Sequence, residues 1–95
     1  MSVITYNANN ENDFNINDFV EPGVMEDWNN GDRADVRADI LGALEYGLTV
    51  NDELRADLQN NGAADGSLLT TMTGITDLDR ENRWIEEQIA YYSTA

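Results

Sequence analysis

The placement of the apolar residues constrains the fold of this chain more than any other feature. Large apolar side chains are concentrated after residue 32, where they recur at intervals of three and four residues. That interval places them on one face of an α-helix, the face that is buried in a packed domain. The first such stripe consists of Val36, Ile40, Leu41, Leu44 and Leu48. Asp32 is a suitable N-cap for this helix, and Gly47 is expected to end it.

Further helical segments are expected after Gly47. Residues 49–52 have the pattern of a helix start, and asparagines and a glycine at 60–62 should stop that second segment. A third segment follows from residue 68, and residues 76–79 open a last helix that runs to about Tyr92. The sequence leaves open whether these two are continuous. We therefore predict a mostly α fold, with a small domain of three to four helices at residues 31–95.

The first 30 residues have a different composition. They contain eight of the twelve asparagines and no arginine. Asparagine favours turns over regular helix. Residues 3–6, and the alternation of Phe14 and Ile16, could each form a short β segment. Pro22 followed by Gly23 predicts a type II turn. We predict that residues 1–30 form an extended, Asn-rich N-terminal arm that lies on another surface.

The charge of the chain limits its partners. Nineteen acidic residues face five arginines, there is no lysine or histidine, and the net charge is −14. Favourable binding to nucleic acid or to anionic membranes needs basic side chains, so neither is expected as a direct partner. The sequence shows no apolar run of membrane-spanning length and no signal peptide at its start. The expected location is therefore a virion or a host cytoplasm.

Catalysis finds little support in the sequence. The chain lacks histidine and cysteine, which removes the commonest general base, the strongest nucleophile and every thiolate metal ligand. Pairs of neighbouring carboxylates are inevitable among nineteen acidic residues, so they do not indicate a catalytic site. Residues 13–24 begin like a calcium-binding loop, but Asp18 replaces the required glycine and Val24 the bidentate glutamate. We expect no enzymatic activity, no cofactor and no metal.

The aromatic residues are the best candidates for contacts with a partner. On the last helix Leu78, Ile85, Ile89 and Tyr92 share one face, whereas Trp84 and Tyr91 lie on a second face about 100° away. Trp84 and Tyr91 could pack into the core or under the arm, or they could anchor another protein, because Trp and Tyr dominate interface hot spots. The residues predicted to bind a partner are Tyr6, Phe14, Phe19, Trp28, Trp84 and Tyr91.

Two functions are consistent with these features. The first is a small viral structural protein, such as a phage capsid decoration or cement protein, or a tail or neck component. It would contact other protein subunits, basic or structural in kind, in an oligomer or a larger assembly. The alternative is an acidic inhibitor that mimics DNA and blocks a basic nucleic-acid-binding host protein. The acidity also fits adaptation to high salt or simple solubility.

Overall fold

The fold is a long helical hairpin against which a 3-10 turn and one short α-helix pack. A computed structural model describes residues 14–95, which span 48 × 25 × 22 Å. A 3-10 turn at Ile16–Asp18 is followed by α1 (Val24–Asn29), α2 (Arg33–Asn61) and α3 (Leu68–Thr94). The helices α2 and α3 are antiparallel, since Arg37 near the start of α2 contacts Tyr92 near the end of α3. The predicted mostly α fold is confirmed for the described residues.

Helix α2 is longer than the sequence pattern predicts. Asp32 is its N-cap as expected, but the predicted end at Gly47 is wrong, because the helix continues to Asn61. Gly47 lies inside the helix against Phe19 and Ile85, where any larger side chain would meet the ring of Phe19. Thr49 does not start a new helix, because its hydroxyl donates to the carbonyl oxygen of Glu45 one turn earlier. Packing against other elements therefore explains this glycine better than helix termination does.

Helix α3 is also a single element. It begins at Leu68, with the Ser67 hydroxyl accepting a hydrogen bond from the Thr70 amide at 3.2 Å as an N-cap. The predicted helix start at residues 76–79 is wrong, since Thr76 lies mid-helix and donates to the carbonyl oxygen of Met72. Gly74 is kept within the helix by a close neighbour: an added Cβ would lie 3.0 Å from Cδ1 of Leu58 on α2. The third and fourth predicted segments are thus continuous.

The core lies along the seam between α2 and α3. The predicted stripe on α2 is confirmed, with three of its residues buried and two partly buried against them. The predicted face of α3 is confirmed as well, since Leu78, Ile85 and Tyr92 are buried and Ile89 is partly buried. Two large core residues come from the segment before α2: Trp28 from α1, and Phe14. Regular apolar spacing therefore identified both faces of the seam.

The segment before α2 folds onto the hairpin. The predicted type II turn is confirmed: Gly23 has φ +92°, and the amide of Val24 donates to the carbonyl oxygen of Glu21. The β segment predicted at Phe14 and Ile16 is wrong, because Ile16 is in a 3-10 turn capped by the side chain of Asn15. The β segment predicted at residues 3–6 falls outside the described residues. The division of the chain at residue 30 stays a prediction.

Candidate functional site

Trp84 is covered by the segment that precedes α1. The ring of Phe14 lies 5.6 Å from the ring of Trp84, and the ring of Phe19 lies 5.5 Å from it. Phe14 is buried, whereas Phe19 and Trp84 are partly buried. Tilted aromatic pairs at this separation stabilise a fold beyond the burial of their area. Of the two roles considered for Trp84, packing under the arm is the one seen in the described chain.

Trp28 occupies a second aromatic cluster near the C-terminal end of α3. Its ring meets Tyr92 edge-on, with centroids 5.0 Å apart. The guanidinium groups of Arg33 and Arg37 lie 4.8 and 5.5 Å from the Trp28 ring. Burial raises the pKa of the Tyr92 phenol, and the charge of neighbouring Tyr91 raises it further. Trp28 could therefore meet a partner only if this cluster opened.

The six predicted partner-binding residues do not form one surface. Four of them pack within the chain, in the two clusters described above. Tyr91 is 54% exposed, and its ring packs edge-on against Tyr92. Tyr6 falls outside the described residues. Binding of a partner by these residues stays a prediction. Tyr91 is exposed enough to contact a partner without any change in the fold.

Sequence reasoning missed a group of exposed apolar residues at the closed end of the hairpin. Leu68, Leu69 and Met72, in the first two turns of α3, are 73%, 76% and 57% exposed. We call these three residues the apolar end. The sequence predicts a helical segment from residue 68 but does not indicate which of its faces is buried. Gly74 faces Leu58 of α2 and Leu78 is buried in the seam, whereas the turn of about 100° per residue places these three side chains on other sides of α3.

A buried polar cluster lies at mid-seam. The Asn51 side-chain amide donates to Glu81 at 2.8 Å and to Asn82 at 3.0 Å, and both Asn51 and Glu81 are buried. A buried carboxylate requires such donors, because its removal from water is costly. One signal in the sequence could have identified this cluster: Asn51 and Glu81 fall at helical spacing among the apolar stripe residues of their helices.

A shallow apolar groove opens beside this cluster. It has a volume of about 330 Å³, and the ring of Phe19 and residues Tyr46 and Leu54 contribute to its walls. Tyr46 and Leu54 are exposed, while Asn51 and Glu81 contribute to its lining from below. Exposed apolar rims of this kind mark contact surfaces more often than isolated apolar residues do.

Carboxylates follow the outer face of α2. A rotation of about 100° per residue places Asp35, Asp39, Glu53 and Asp57 within about 40° of one another. All four are exposed. They form two pairs separated by about 21 Å, at 1.5 Å per residue, and Tyr46 lies on the same face between them. The acidic face is therefore interrupted by an aromatic side chain.

Within residues 14–95, two ion pairs join an arginine to an acidic side chain. Arg55 donates from Nε to Asp79 across the hairpin at 2.8 Å, and that hydrogen bond, followed by the charge of Asp79, raises the pKa of Arg55. Arg80 lies 3.4 Å from Asp77 on the same helix. Both pairs are partly solvated, and such pairs contribute little to stability. Most of the negative charge is therefore available to act on approaching molecules.

The described residues include no group of three or more acidic side chains placed to hold a metal ion. None of the helices in residues 14–95 is both long enough and apolar enough to cross a membrane. Comparison with known protein families, with curated proteins and with solved structures found no match.

Proposed function

We propose that this protein acts by binding other proteins without catalysing a reaction, as a small structural component of a virus particle. A phage capsid decoration or cement protein, or a tail or neck component, would have this role. The observation that carries the proposal is the apolar end, where three large side chains of one helix are more than half exposed. Contiguous exposed apolar surface is costly in water, and it is retained where a partner covers it.

The shape of the molecule supports the same role. The hairpin is about twice as long as it is wide, and its exposed apolar groups lie at separate places along it. The apolar end lies at the closed end of the hairpin, Tyr46 lies near the middle, and Tyr91 lies near the open end. A rod with several separated contact points can bridge two or more neighbours in an assembly. Direct binding of nucleic acid is not part of the proposal, because the charge of −14 opposes it.

The test is to follow the tagged full chain in its native source. Particles are purified on a density gradient, and mass spectrometry measures the amount of the chain per copy of the major particle protein. We expect a constant ratio across the particle peak and across independent preparations. A chain found only in fractions without particles, under conditions in which the particles stay intact, contradicts the proposal.

The aligned carboxylates of α2 favour a second candidate, an acidic inhibitor that mimics DNA. In this role the exposed acids on the outer face of α2 would occupy a basic cleft of a nucleic-acid-binding protein. Charge complementarity would make such binding fast and strongly dependent on salt. The test measures displacement of DNA from host proteins by the wild type and by the double variant Asp35→Asn/Asp39→Asn. The matched control is Glu45→Gln/Asp52→Asn, which removes equal charge from another face of α2.

For the inhibitor, displacement must weaken in the first variant much more than in the control. Equal weakening in both variants indicates a general effect of charge. Absence of displacement by the wild type excludes the mimic role and leaves the structural role unaffected.

A further inference from the structure

The apolar end is an unusual region of this acidic chain. Residues 66–76 contain no charged side chain, although they belong to a chain with nineteen acids. Within that segment Leu68, Leu69 and Met72 are exposed, and Ile75 is partly buried. From Leu68 to Ile75 the helix rises about 10 Å, at 1.5 Å per residue. Two turns of helix therefore present an apolar, uncharged face to solvent.

Negative charge predominates in the sequence on both sides of this segment. The sequence between Arg55 and Arg80 contains four aspartates, Asp57, Asp65, Asp77 and Asp79, and no basic residue, which gives it a net charge of −4. Asp77 and Asp79 have arginine partners. The hydrogen-bond donors to Asp57 and Asp65 are neutral groups: the Asn61 amide donates to Asp57, and the Ser67 backbone amide and Thr70 hydroxyl donate to Asp65.

The two uncompensated carboxylates lie at the same end of the hairpin as the exposed leucines. Asp57 is in the last turn of α2, and Asp65 is in the loop that leads into α3. Hydrogen bonds to neutral donors leave a carboxylate with its full negative charge. The closed end of the hairpin therefore combines an exposed apolar surface with a net negative charge.

We propose that the apolar end binds an apolar segment that carries lysine or arginine side chains, supplied by a different protein. This inference rests on the proposed role in protein binding and names the chemistry of the partner. Apolar residues of the partner cover Leu68, Leu69 and Met72, while its basic residues approach Asp57 and Asp65. A second copy of this chain does not fit, because its own apolar end has the same four aspartates and like charges repel.

The probe is a fluorescently labelled synthetic peptide with leucines on one helical face and lysines on the other. Its binding to the full chain is measured by fluorescence anisotropy. We expect the double variant Leu69→Ser/Met72→Ser to bind at least about tenfold more weakly, because the apolar contact is lost. Asp57→Asn/Asp65→Asn should weaken binding less, and should also reduce its dependence on salt.

The matched control for the apolar variant is Tyr46→Ser, which removes an exposed aromatic side chain from the middle of α2 and should bind within about twofold of the wild type. A peptide with glutamate in place of lysine should not bind. Because Leu69 and Met72 are largely exposed, their replacement should leave the helical circular dichroism unchanged.

Three outcomes of the peptide and dimer measurements overturn the proposal. Equal loss in Tyr46→Ser and in the apolar variant would mean that the peptide binds exposed apolar groups in general and not the apolar end. Undiminished binding by the apolar variant would place the contact elsewhere. Dimers of the free chain that strengthen with salt and disappear in the apolar variant would identify a second copy as the occupant.

If particle association persists in the apolar variant, this inference fails and the structural role stands. If the chain associates with no particle, the structural role fails, whether or not the chain binds the peptide.

Discussion

Arg37 joins the start of α2 to the end of α3 through Tyr92. Its Nη1 donates to the backbone carbonyl oxygen of Tyr92 at 2.6 Å, and its Nη2 donates to that of Ala95 at 2.9 Å. The last carbonyl groups of a helix have no partner within the helix, so an arginine from another element can satisfy them. The same guanidinium lies over the ring of Trp28. One side chain thus connects α1, α2 and α3.

Loss of this connection should destabilise the fold. Arg37→Met keeps much of the side-chain volume but removes both hydrogen bonds, and it should lower the free energy of unfolding by about 1–3 kcal/mol. The measurement is urea denaturation followed by circular dichroism. Arg33→Met is the control, because Arg33 is exposed and contacts the Trp28 ring without bonding the end of α3. Equal losses in the two variants would mean that the hydrogen bonds of Arg37 contribute nothing.

Replacing two glycines of α2 by alanine should affect the stability of the protein differently. Gly42→Ala adds a Cβ with nothing within 4 Å, and the better helix propensity should stabilise the protein by about 0.5–1 kcal/mol. Gly47→Ala places a Cβ 2.8 Å from Cε2 of Phe19, so the ring must move away. We expect Gly47→Ala to be less stable than Gly42→Ala and to alter the near-ultraviolet circular dichroism from Trp84. An unchanged aromatic spectrum with increased stability contradicts the close contact.

Trp84 should contribute more to the stability of the fold than to partner binding. Trp84→Ala removes the surface on which Phe14 and Phe19 pack, and it should cost about 3 kcal/mol or more. Trp84→Phe, which keeps an aromatic ring, should cost markedly less. Thermal unfolding of both variants measures the difference. If Trp84→Ala keeps the wild-type stability while partner binding is lost, the anchor role predicted from the sequence is correct and the packing role is not.

Asn51 and Glu81 should behave as a coupled pair. Asn51→Ala removes one hydrogen-bond donor to the buried Glu81 carboxylate. It should lower the free energy of unfolding by about 2–4 kcal/mol. The double variant Asn51→Leu/Glu81→Leu should recover much of that loss, because apolar groups of similar volume need no donors. Urea denaturation of Asn51→Leu, of Glu81→Leu and of the double variant measures the coupling energy. Additive losses would show that the pair does not interact.

Alkaline pH should weaken the cluster around Tyr92. The pKa of this phenol is raised above its ordinary value of 10.0, mainly by burial, so the folded state favours the neutral form. Its contribution to stability is therefore complete below about pH 10 and is lost as the pH rises through the folded-state pKa. Tyr92→Phe should reduce the difference in urea midpoint between pH 8 and pH 11. Tyr46→Phe, on an exposed ring, should retain the wild-type difference.

Local sequence information was sufficient for the helical class and for much of the core. The stripe from Val36 to Leu48 and the face from Leu78 to Tyr92 follow from spacing alone, since 3.6 residues per turn bring these side chains to one side. The turn at Pro22–Gly23 and the N-cap at Asp32 were also predicted correctly, because each depends on the backbone preferences of a few neighbouring residues.

Only the tertiary structure decided where the helices end and which apolar groups stay uncovered. Gly47 has the sequence signature of a helix end, yet it continues α2 because Phe19, 28 residues earlier in the chain, packs against it. Trp84 and Leu69 both have large apolar side chains on α3, but residues before α1 reach Trp84 and no described element covers Leu69. Helix formation depends on near neighbours, whereas burial depends on what distant segments bring into contact. The core faces could therefore be predicted from the spacing of nearby residues. The exposed apolar end could not, because its exposure depends on which distant segments pack against α3.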